Sequence, residues 1–576
     1  MATHTAKIFT LFLLATLTYA SFAKDVKESL PNALPGGAIF MKQHPNSDQN
    51  KDGILTYEER EKYCIETISK QLGGNYTFKR EMIPMRDGVK LATGIFIPTN
   101  AGPAPAVLCR TAYGIWGAAF HNAHRFTGQK LVFICQDPRG DGESEGKGTF
   151  DARSFDNEIH DGYDTIDWIS KQKFSNGKVG VIGQSGHGFC AYMAYLSKHH
   201  ALSTVYTTVS GGNAYKYWTY HNGVRREMYN WLCQRSIPIP QWPKPTITLF
   251  DQKAYDRTVK KASNNKQTIF IAKTGWYDIF AESALDYLEA FGKNGNIIIQ
   301  MDASGHGNMT GRKPPMRPVP PQWQLPDISK TLKGAVAGES RMVYFLMGDS
   351  IDPNAPGNKY KMTNVWPVPH SKESYYMHAD GSLSQAKPQV KKASLTFKYD
   401  PRNPVSSQGG DVFIHTGVGP KDQRVHKDRK DILRFSSNTL DSPLEITGKI
   451  FAELFVKTDV EDTTFTAKLI DVYPDGYQAI LRDSIIMMRF HDGFDKESKI
   501  QKGKVYKLTM DMWSTAYVLN KGHKLAVHIS SSNSPKYEVH PNTYKPVMNF
   551  NNSPIANNTI MLSKEHPSRI ILPIVK

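Results

Sequence analysis

The chain has few cysteines, no long internal hydrophobic run, no internal repeat and no cluster of basic residues. Each of these absences excludes something. Five cysteines in 576 residues (Cys64, Cys109, Cys135, Cys190 and Cys233) are too few, and odd in number, for a disulfide-built scaffold. Cys109, Cys135 and Cys190 fall in apolar segments, where the thiol behaves as a small hydrophobe. A disulfide between Cys64 and Cys233 is left open by the sequence. Beyond the N-terminus no apolar stretch is long enough to span a bilayer. The formal charge of +17 comes from Lys and Arg scattered along the whole chain, so it describes a basic solvated surface rather than a nucleic-acid footprint.

The one concentrated apolar run is at the start. Lys7 precedes residues 8–17, which are almost wholly apolar, and Ser21 and Ala23 stand just before Lys24. A positive start, a short apolar core and small residues ahead of a break describe a cleavable signal peptide over residues 1–23. The expected location is secreted or periplasmic, with no membrane contact after cleavage. Residues 24–75 hold Asp48-Gln49-Asn50-Lys51-Asp52-Gly53-Ile54-Leu55-Thr56-Tyr57-Glu58-Glu59, the pattern of an EF-hand calcium loop. Asp48, Asn50 and Asp52 would supply side-chain oxygens and Ile54 its carbonyl. Thr56 sits at the ninth position, and Glu59 would be the bidentate ligand. Residues 57–72 read as the exit helix. A lone loop of this kind on an exported protein would bind Ca2+ for structure rather than signalling.

From residue 76 the texture is that of strands alternating with helices. Residues 106–109, 131–135, 178–182, 203–210, 268–272 and 296–300 are short β-branched or apolar runs, and residues 156–171 have helical spacing. Buried strands separated by amphipathic helices predict a parallel sheet covered on both faces, with ligands at the carboxyl ends of its strands. The sheet core spans 76–212 and 267–311. Residues 213–266 interrupt it with many aromatics and read as a small helical cap. Residues 312–335 are proline-rich, a linker or a pinned crossover, and 336–576 alternate in the manner of a jelly-roll β-sandwich.

The chemistry centres on Gly183-Gln184-Ser185-Gly186-His187-Gly188, between an apolar strand and a small-residue helical run. A strand, a tight Ser turn flanked by glycines and a helix make a nucleophile elbow, which raises the hydroxyl over free helix N–H groups. Ser185 then needs a base and a carboxylate, in the chain order Ser, Asp, His. Asp278 follows the run 268–272, and His306 follows 296–300. Asp302 is a competing carboxylate four residues before His306. His187 lies too close to Ser185 in sequence to act as its base.

Several stretches resemble the cocaine esterase / glutaryl acylase / X-prolyl dipeptidyl-peptidase group of α/β-hydrolases. They are Met85-Arg86-Asp87-Gly88-Val89-Lys90-Leu91, Arg110-Thr111-Ala112-Tyr113-Gly114, and Gln136-Asp137-Pro138-Arg139-Gly140 with Gly142-Glu143-Ser144-Glu145-Gly146. The elbow's glycine at Gly188, three after the Ser, fits the same group. In the C-terminal part, Leu469-Ile470-Asp471-Val472-Tyr473-Pro474-Asp475-Gly476, Lys521-Gly522-His523 and Ser531-Ser532-Asn533-Ser534-Pro535 do so as well. The resemblance covers roughly 78–576 and leaves out the calcium-loop segment. It implies an α/β-hydrolase core with a helical cap and a C-terminal jelly roll. It also implies an oxyanion hole made by the Tyr113 hydroxyl and the Gly186 N–H. Two departures stand out: Gly186 replaces a Tyr common in the group, and Phe280 and Ala281 occupy the places where amino-acid ester hydrolases carry an acidic pair.

The sequence therefore predicts an exported serine hydrolase that cleaves ester or amide bonds through an acyl-enzyme, with no cofactor for catalysis. Its substrate would be a small-molecule ester or amide or a short peptide, and no nucleic acid is involved. An X-prolyl dipeptidyl aminopeptidase is the alternative within the class. A calcium-dependent binding protein on a degenerate hydrolase scaffold is the alternative outside it. Sequons occur at Asn75, Asn308, Asn551 and Asn557.

Overall fold

A computed structural model describes residues 46–47, 51, 53, 55–112, 114–146, 155–227, 252–334, 339–413, 417–494, 496–545, 547 and 549–576. Its catalytic half is built on a ten-stranded sheet in the order β1-β2-β4-β3-β5-β6-β9-β10-β11-β12. The strands are β1 (Tyr76–Pro84), β2 (Lys90–Pro98), β3 (Ala104–Arg110), β4 (Val132–Gln136), β5 (Ser175–Gln184), β6 (Leu202–Thr208), β9 (Ile269–Tyr277), β10 (Ile297–Gly305), β11 (Arg341–Leu346) and β12 (Lys359–Thr363). From β4 through β11 all neighbours run parallel, and β1, β2 and β12 pair antiparallel at the edges.

The central strands have no polar face because helices cover both sides. In β3 and β4, Val107, Cys109, Phe133 and Cys135 point to one side. There they meet helices α1 (Tyr57–Leu72) and α2 (Ile115–Thr127) through Cys64, Ile68, Trp116 and Phe126. Alternate residues Leu108, Val132 and Ile134 face the opposite side, packed with α3 (Phe155–Ser170), α4 (Gly186–Ser197) and α6 (Ala281–Phe291). The helices predicted at 57–72 and 156–171 are found to within a residue at each end, and each predicted strand overlaps a strand of the sheet, although β9 and β10 run five residues beyond the predicted ends at 272 and 300 and β5 starts three residues before 178.

The structure refines several of the sequence readings. Of the two readings of the proline-rich stretch, the structure shows the crossover: it joins β10 to β11 of the same sheet. Its helix α7 (Ile328–Leu332) is capped by Asp327, whose side chain accepts from Ser329 N. Ile328 and Leu332 press on the sheet at Gly180, and Thr331 bonds Thr204 (2.8 Å). β11 and β12, which lie within the predicted 336–576, pair onto this first sheet and not onto the sheets of the C-terminal half. Of the predicted cap, the described part is a π-helix (Ala214–Thr219), a short hairpin of β7 (Tyr220–His221) and β8 (Val224–Arg225), and α5 (Gln252–Ala262); residues 228–251 lie outside the described set. The Cys64 thiol is free and buried, donating to the Trp116 carbonyl, and Cys233 lies outside the described residues.

The C-terminal half is two antiparallel sheets, the larger including β13 (Ser371–Met377), β14 (Leu383–Ser384) and β15 (Ser394–Tyr399) and the smaller including β16 (Leu433–Ser436). The larger carries β17 (Leu444–Thr458), whose side chains alternate between buried and half-buried over most of its length, as a strand facing one core must. Its neighbours are β20 (Tyr506–Leu519), β22 (Ala556–Met561) and β23 (Arg569–Val575). The smaller sheet includes β18 (Thr464–Val472), β19 (Gln478–Met487) and β21 (Lys524–Ser530). One continuous apolar core runs from Trp276 and Tyr344 of the catalytic domain into Trp513 and Leu519 of the β-domain. Backbone bonds from Met347 N to Ala516 O (3.0 Å) and from Val518 N to Met347 O (2.9 Å) stitch the halves together. No described helix is long and apolar enough to cross a membrane.

Candidate active site

Ser185 sits between β5 and α4 with φ 52° and ψ −122°. A non-glycine residue is rarely held there, and doing so costs about 1–3 kcal/mol. The surroundings over-determine it. Ser185 N donates to Thr208 O (3.0 Å), and Ser185 O accepts from Gly188 N (3.0 Å) and from the Ser210 hydroxyl (2.6 Å). The two elbow glycines are required by close approach. A Cβ on Gly183 would lie 2.3 Å from His187 O, and one on Gly188 would lie 2.4 Å from Ser210 Cβ.

Ser185 Oγ lies 3.0 Å from His306 Nε2, and His306 Nδ1 lies 3.1 Å from Asp278 Oδ2. The second carboxylate oxygen of Asp278 accepts from Phe280 N at 2.8 Å. Asp278 is fully buried and His306 nearly so. This places the Nδ1 proton toward the carboxylate and leaves Nε2 to accept from the serine. Asp278, favoured by the sequence over Asp302, is the carboxylate hydrogen-bonded to His306. Asp302 is engaged elsewhere, by Gln300 Nε2 (2.9 Å), the Tyr360 hydroxyl (2.8 Å) and Lys273 Nζ (3.5 Å).

His187 lies buried beside Cys109 Sγ. Burial, with His121 nearby, pushes its pKa down to about 3, so it is a neutral core residue. Gly186 is the first residue of α4, so its N–H belongs to the turn that has no intrahelical acceptor. Tyr113 lies outside the described residues. On either side of it, the Arg110 guanidinium at the end of β3 is buried on Gln136 and Glu158, and Gly114 (φ 87°) starts α2.

Aromatic rings flank the imidazole. Phe280 meets it edge-on at 5.4 Å, and Phe413 of the β-domain lies at 5.2 Å. Phe413 has no sequence signal, because it reaches His306 from a separate domain. The places after Asp278 are apolar and buried at Phe280 and Ala281. The next carboxylate, Glu282, is also buried: it accepts from Ser514 N and pairs with Lys449 (3.3 Å).

Of the proposed calcium ligands, Asp48, Asn50, Asp52 and Ile54 lie outside the described residues. Thr56 and Glu59 form a capping box at the start of α1: Thr56 Oγ accepts from Glu59 N, and Glu59 Oε2 accepts from Thr56 N (3.0 Å). Among the described residues no group of three or more His, Cys, Asp or Glu is arranged to hold a metal. Two stretches that carry the resemblance turn out to be structural. Arg139 bridges Asp87 and Asp161 beside β2, and His523 lies between Asp471 (2.7 Å) and Asp349 (3.2 Å) where the two halves meet.

Comparison with known proteins agrees with this architecture. Residues 87–237 match the X-Pro dipeptidyl-peptidase (S15 family) domain, and residues 338–571 match the X-Pro dipeptidyl-peptidase C-terminal non-catalytic domain. The chain is 29% identical to the cocaine esterase of Rhodococcus sp., over 87% of this chain and 99% of that one. Among solved structures, an aminopeptidase from a marine sediment archaeon (Thaumarchaeota archaeon) superposes with TM-score 0.72 at 22% identity, covering 87% of this chain and 97% of the other. An α-amino acid ester hydrolase does so with TM-score 0.69 at 22% identity and the same coverage. These two share the fold. The chain thus carries an S15-family domain and the C-terminal domain that accompanies it in X-Pro dipeptidyl-peptidases, is a homologue of cocaine esterase, and is a serine hydrolase.

Proposed function

We propose that this protein cleaves carboxylic esters and related acyl bonds through an acyl-enzyme on Ser185. The observation that carries the reading is the hydrogen-bonded line Ser185–His306–Asp278, with heteroatom separations of 3.0 and 3.1 Å. His306 takes the proton as Ser185 Oγ attacks the substrate carbonyl, and it returns that proton to the leaving group. Water then repeats the sequence on the acyl-enzyme and releases the acid. Asp278 holds the imidazole in the required tautomer and orientation. The oxyanion falls to the Gly186 N–H and the Tyr113 hydroxyl; one such donor is worth about 3–4 kcal/mol in the transition state. Phe280 and Phe413 beside the imidazole favour an apolar acyl or alcohol group close to the bond that breaks.

A peptidase that removes X-Pro dipeptides is the second reading, favoured by the S15-family match over residues 87–237. Against it stands the lack of a free carboxylate after Asp278: Phe280 and Ala281 are apolar, and Glu282 is committed to Lys449 and Ser514. The ammonium of an α-amino acyl or dipeptidyl substrate therefore has no evident counter-charge in that stretch.

The deciding experiment is a panel of short aryl esters, aryl amides and X-prolyl anilides, run on the mature protein and on Ser185→Ala. Ester turnover that depends on Ser185 supports the esterase reading. Turnover of alanyl-prolyl anilide without ester turnover would replace it with the peptidase.

Two further proposals concern the N-terminus. Residues 1–23 would direct export, leaving a mature chain that begins near Lys24. The Asp48–Glu59 donor set consists wholly of oxygen, which suits Ca2+. Because Glu59 and Thr56 start α1, and α1 packs on α2, an ion there would secure this helix against the catalytic domain. Chelation should lower the melting temperature and leave the ester kcat at 25 °C unchanged; an unaltered melting curve would count against the site.

A further inference from the structure

Arg226 follows the β7–β8 hairpin and has a fully buried guanidinium. Nη1 donates to two carbonyls, Tyr217 O at 2.9 Å and Ile279 O at 3.1 Å. Nη2 lies 3.3 Å from Asp411 Oδ2, and the guanidinium carbon lies 4.7 Å from the Trp513 ring centroid. The contact to Ile279 is the informative one. The Ile279 carbonyl and the Phe280 N–H belong to one peptide group, and that N–H holds Asp278 Oδ1 at 2.8 Å. A single planar amide therefore has a buried cation on its oxygen and the carboxylate of the His306 partner on its hydrogen.

We infer that Arg226 is a positioning residue for Asp278, acting through the Ile279–Phe280 peptide, and that Asp411 of the C-terminal half holds Arg226 in place. This rests on Ser185, His306 and Asp278 acting as proposed above.

Three physical points support the assignment. A charged donor on an amide oxygen polarises the amide and makes its N–H a stronger donor, which is most effective where water is excluded. The same peptide carries Phe280, whose ring packs against His306, so its displacement disturbs the imidazole from two directions. A buried ion pair is weak as a source of stability, since an apolar pair of similar volume commonly does as well; stability alone therefore does not account for Arg226. Asp411 is itself held by Lys536 (2.6 Å) and lies 3.9 Å from Arg482. Burial opposes its charge, but these three cations outweigh burial and keep it ionised. Lys536 also pairs with Asp483 on β19. The anchorage thus continues into the β-sandwich, which makes that domain part of the support for the catalytic residues.

The test uses the full-length mature protein, with an aryl ester as substrate. Wild type, Arg226→Met, Arg226→Lys, Asp411→Asn and Ser185→Ala are compared by steady-state kinetics, by the rate at which a fluorophosphonate labels Ser185, and by thermal unfolding. Arg226→Met should lower kcat about 10- to 100-fold, the scale expected from misplacing a catalytic group by up to 1 Å, with KM within about twofold of wild type. The labelling rate should fall by the same factor. Arg226→Lys, which retains one charged donor, should recover part of the loss. If Arg226→Met does not fold, Asp411→Asn serves in its place, with a smaller loss in kcat and the same constancy of KM. A lowered melting temperature with wild-type kcat and labelling rate would overturn the inference and leave Arg226 a purely structural residue. Wild-type protein without Ser185-dependent turnover would instead overturn the site assignment, and this inference with it.

Discussion

Adding one methyl group at Gly188 should damage the site more than its size suggests. The Cβ of an alanine there would lie 2.4 Å from both Cβ and Oγ of Ser210. Carbon atoms in contact settle at about 3.5–4.0 Å, so the start of α4 and the segment after β6 must separate by about 1 Å. Ser210 cannot yield independently, because its hydroxyl donates to the Ser185 carbonyl. The displacement therefore reaches the nucleophile's own backbone, which already sits at φ 52°. Overpacking of this kind costs about 1–3 kcal/mol of stability. A shift of about 1 Å at a reacting atom costs about 100-fold in rate. Gly188→Ala should thus lower kcat/KM for an aryl ester by about two orders of magnitude, while lowering the melting temperature by only a few degrees. Gly117→Ala is the control. It lies within α2, and its new Cβ would meet only the end of the Arg60 side chain at 3.4 Å, so activity should not change. Gly188→Ala combined with Ser210→Gly restores the room and should recover part of the rate. Wild-type kcat/KM in Gly188→Ala would refute the claim that the elbow geometry depends on this contact.

Two other outcomes follow from local chemistry. His221 is buried against Trp513 and bonded to Asp511 O and the Tyr537 hydroxyl; burial, then Arg226, pushes its pKa down to about 3. Its folded-state pKa lies below the unfolded value of about 6.5, so the stability is intact above pH 6.5 and is lost as pH falls toward 3. By pH 5 the loss is about 2 kcal/mol, and His221→Gln should flatten the decline in unfolding free energy from urea denaturation between pH 7 and pH 5 by that amount; an unchanged slope would contradict this. Thr56→Ala removes half of the capping box on α1 and should cost about 1 kcal/mol in stability, with kcat for the ester unaltered.

Much of this arrangement was legible in the sequence, for reasons that differ between elements. The elbow could be read because sterics leave few ways to turn a strand into a helix around an exposed serine, and glycines at 183 and 188 are the mark of that constraint. The start of α1 was legible because the loop pattern ending at Glu59 places an exit helix from residue 57; the capping box of Thr56 and Glu59 that fixes this start is seen only in the structure. The order of Asp278 and His306 followed from strand ends, which also favoured Asp278 over Asp302, but what engages Asp302 elsewhere was not visible. Tyr360 and Gln300 occupy Asp302, and Tyr360 belongs to β12, a strand that the proline-rich segment had concealed. Prolines mark where regular structure stops, not where a domain does; Ile328 and Leu332 continue the sheet's cover beyond them. Phe413, Asp411 and Arg226 were illegible for a different reason. Their parts in the site come from contacts across the junction of the two halves, and neither periodicity nor motif spacing encodes such contacts.

The most direct measurement is to map the residue modified by a fluorophosphonate probe on the mature protein, by peptide mass spectrometry, beside Ser185→Ala. The account predicts stoichiometric modification of Ser185, loss of ester turnover in step with it, and no labelling of the variant. Labelling at another serine, or full turnover by Ser185→Ala, would contradict it.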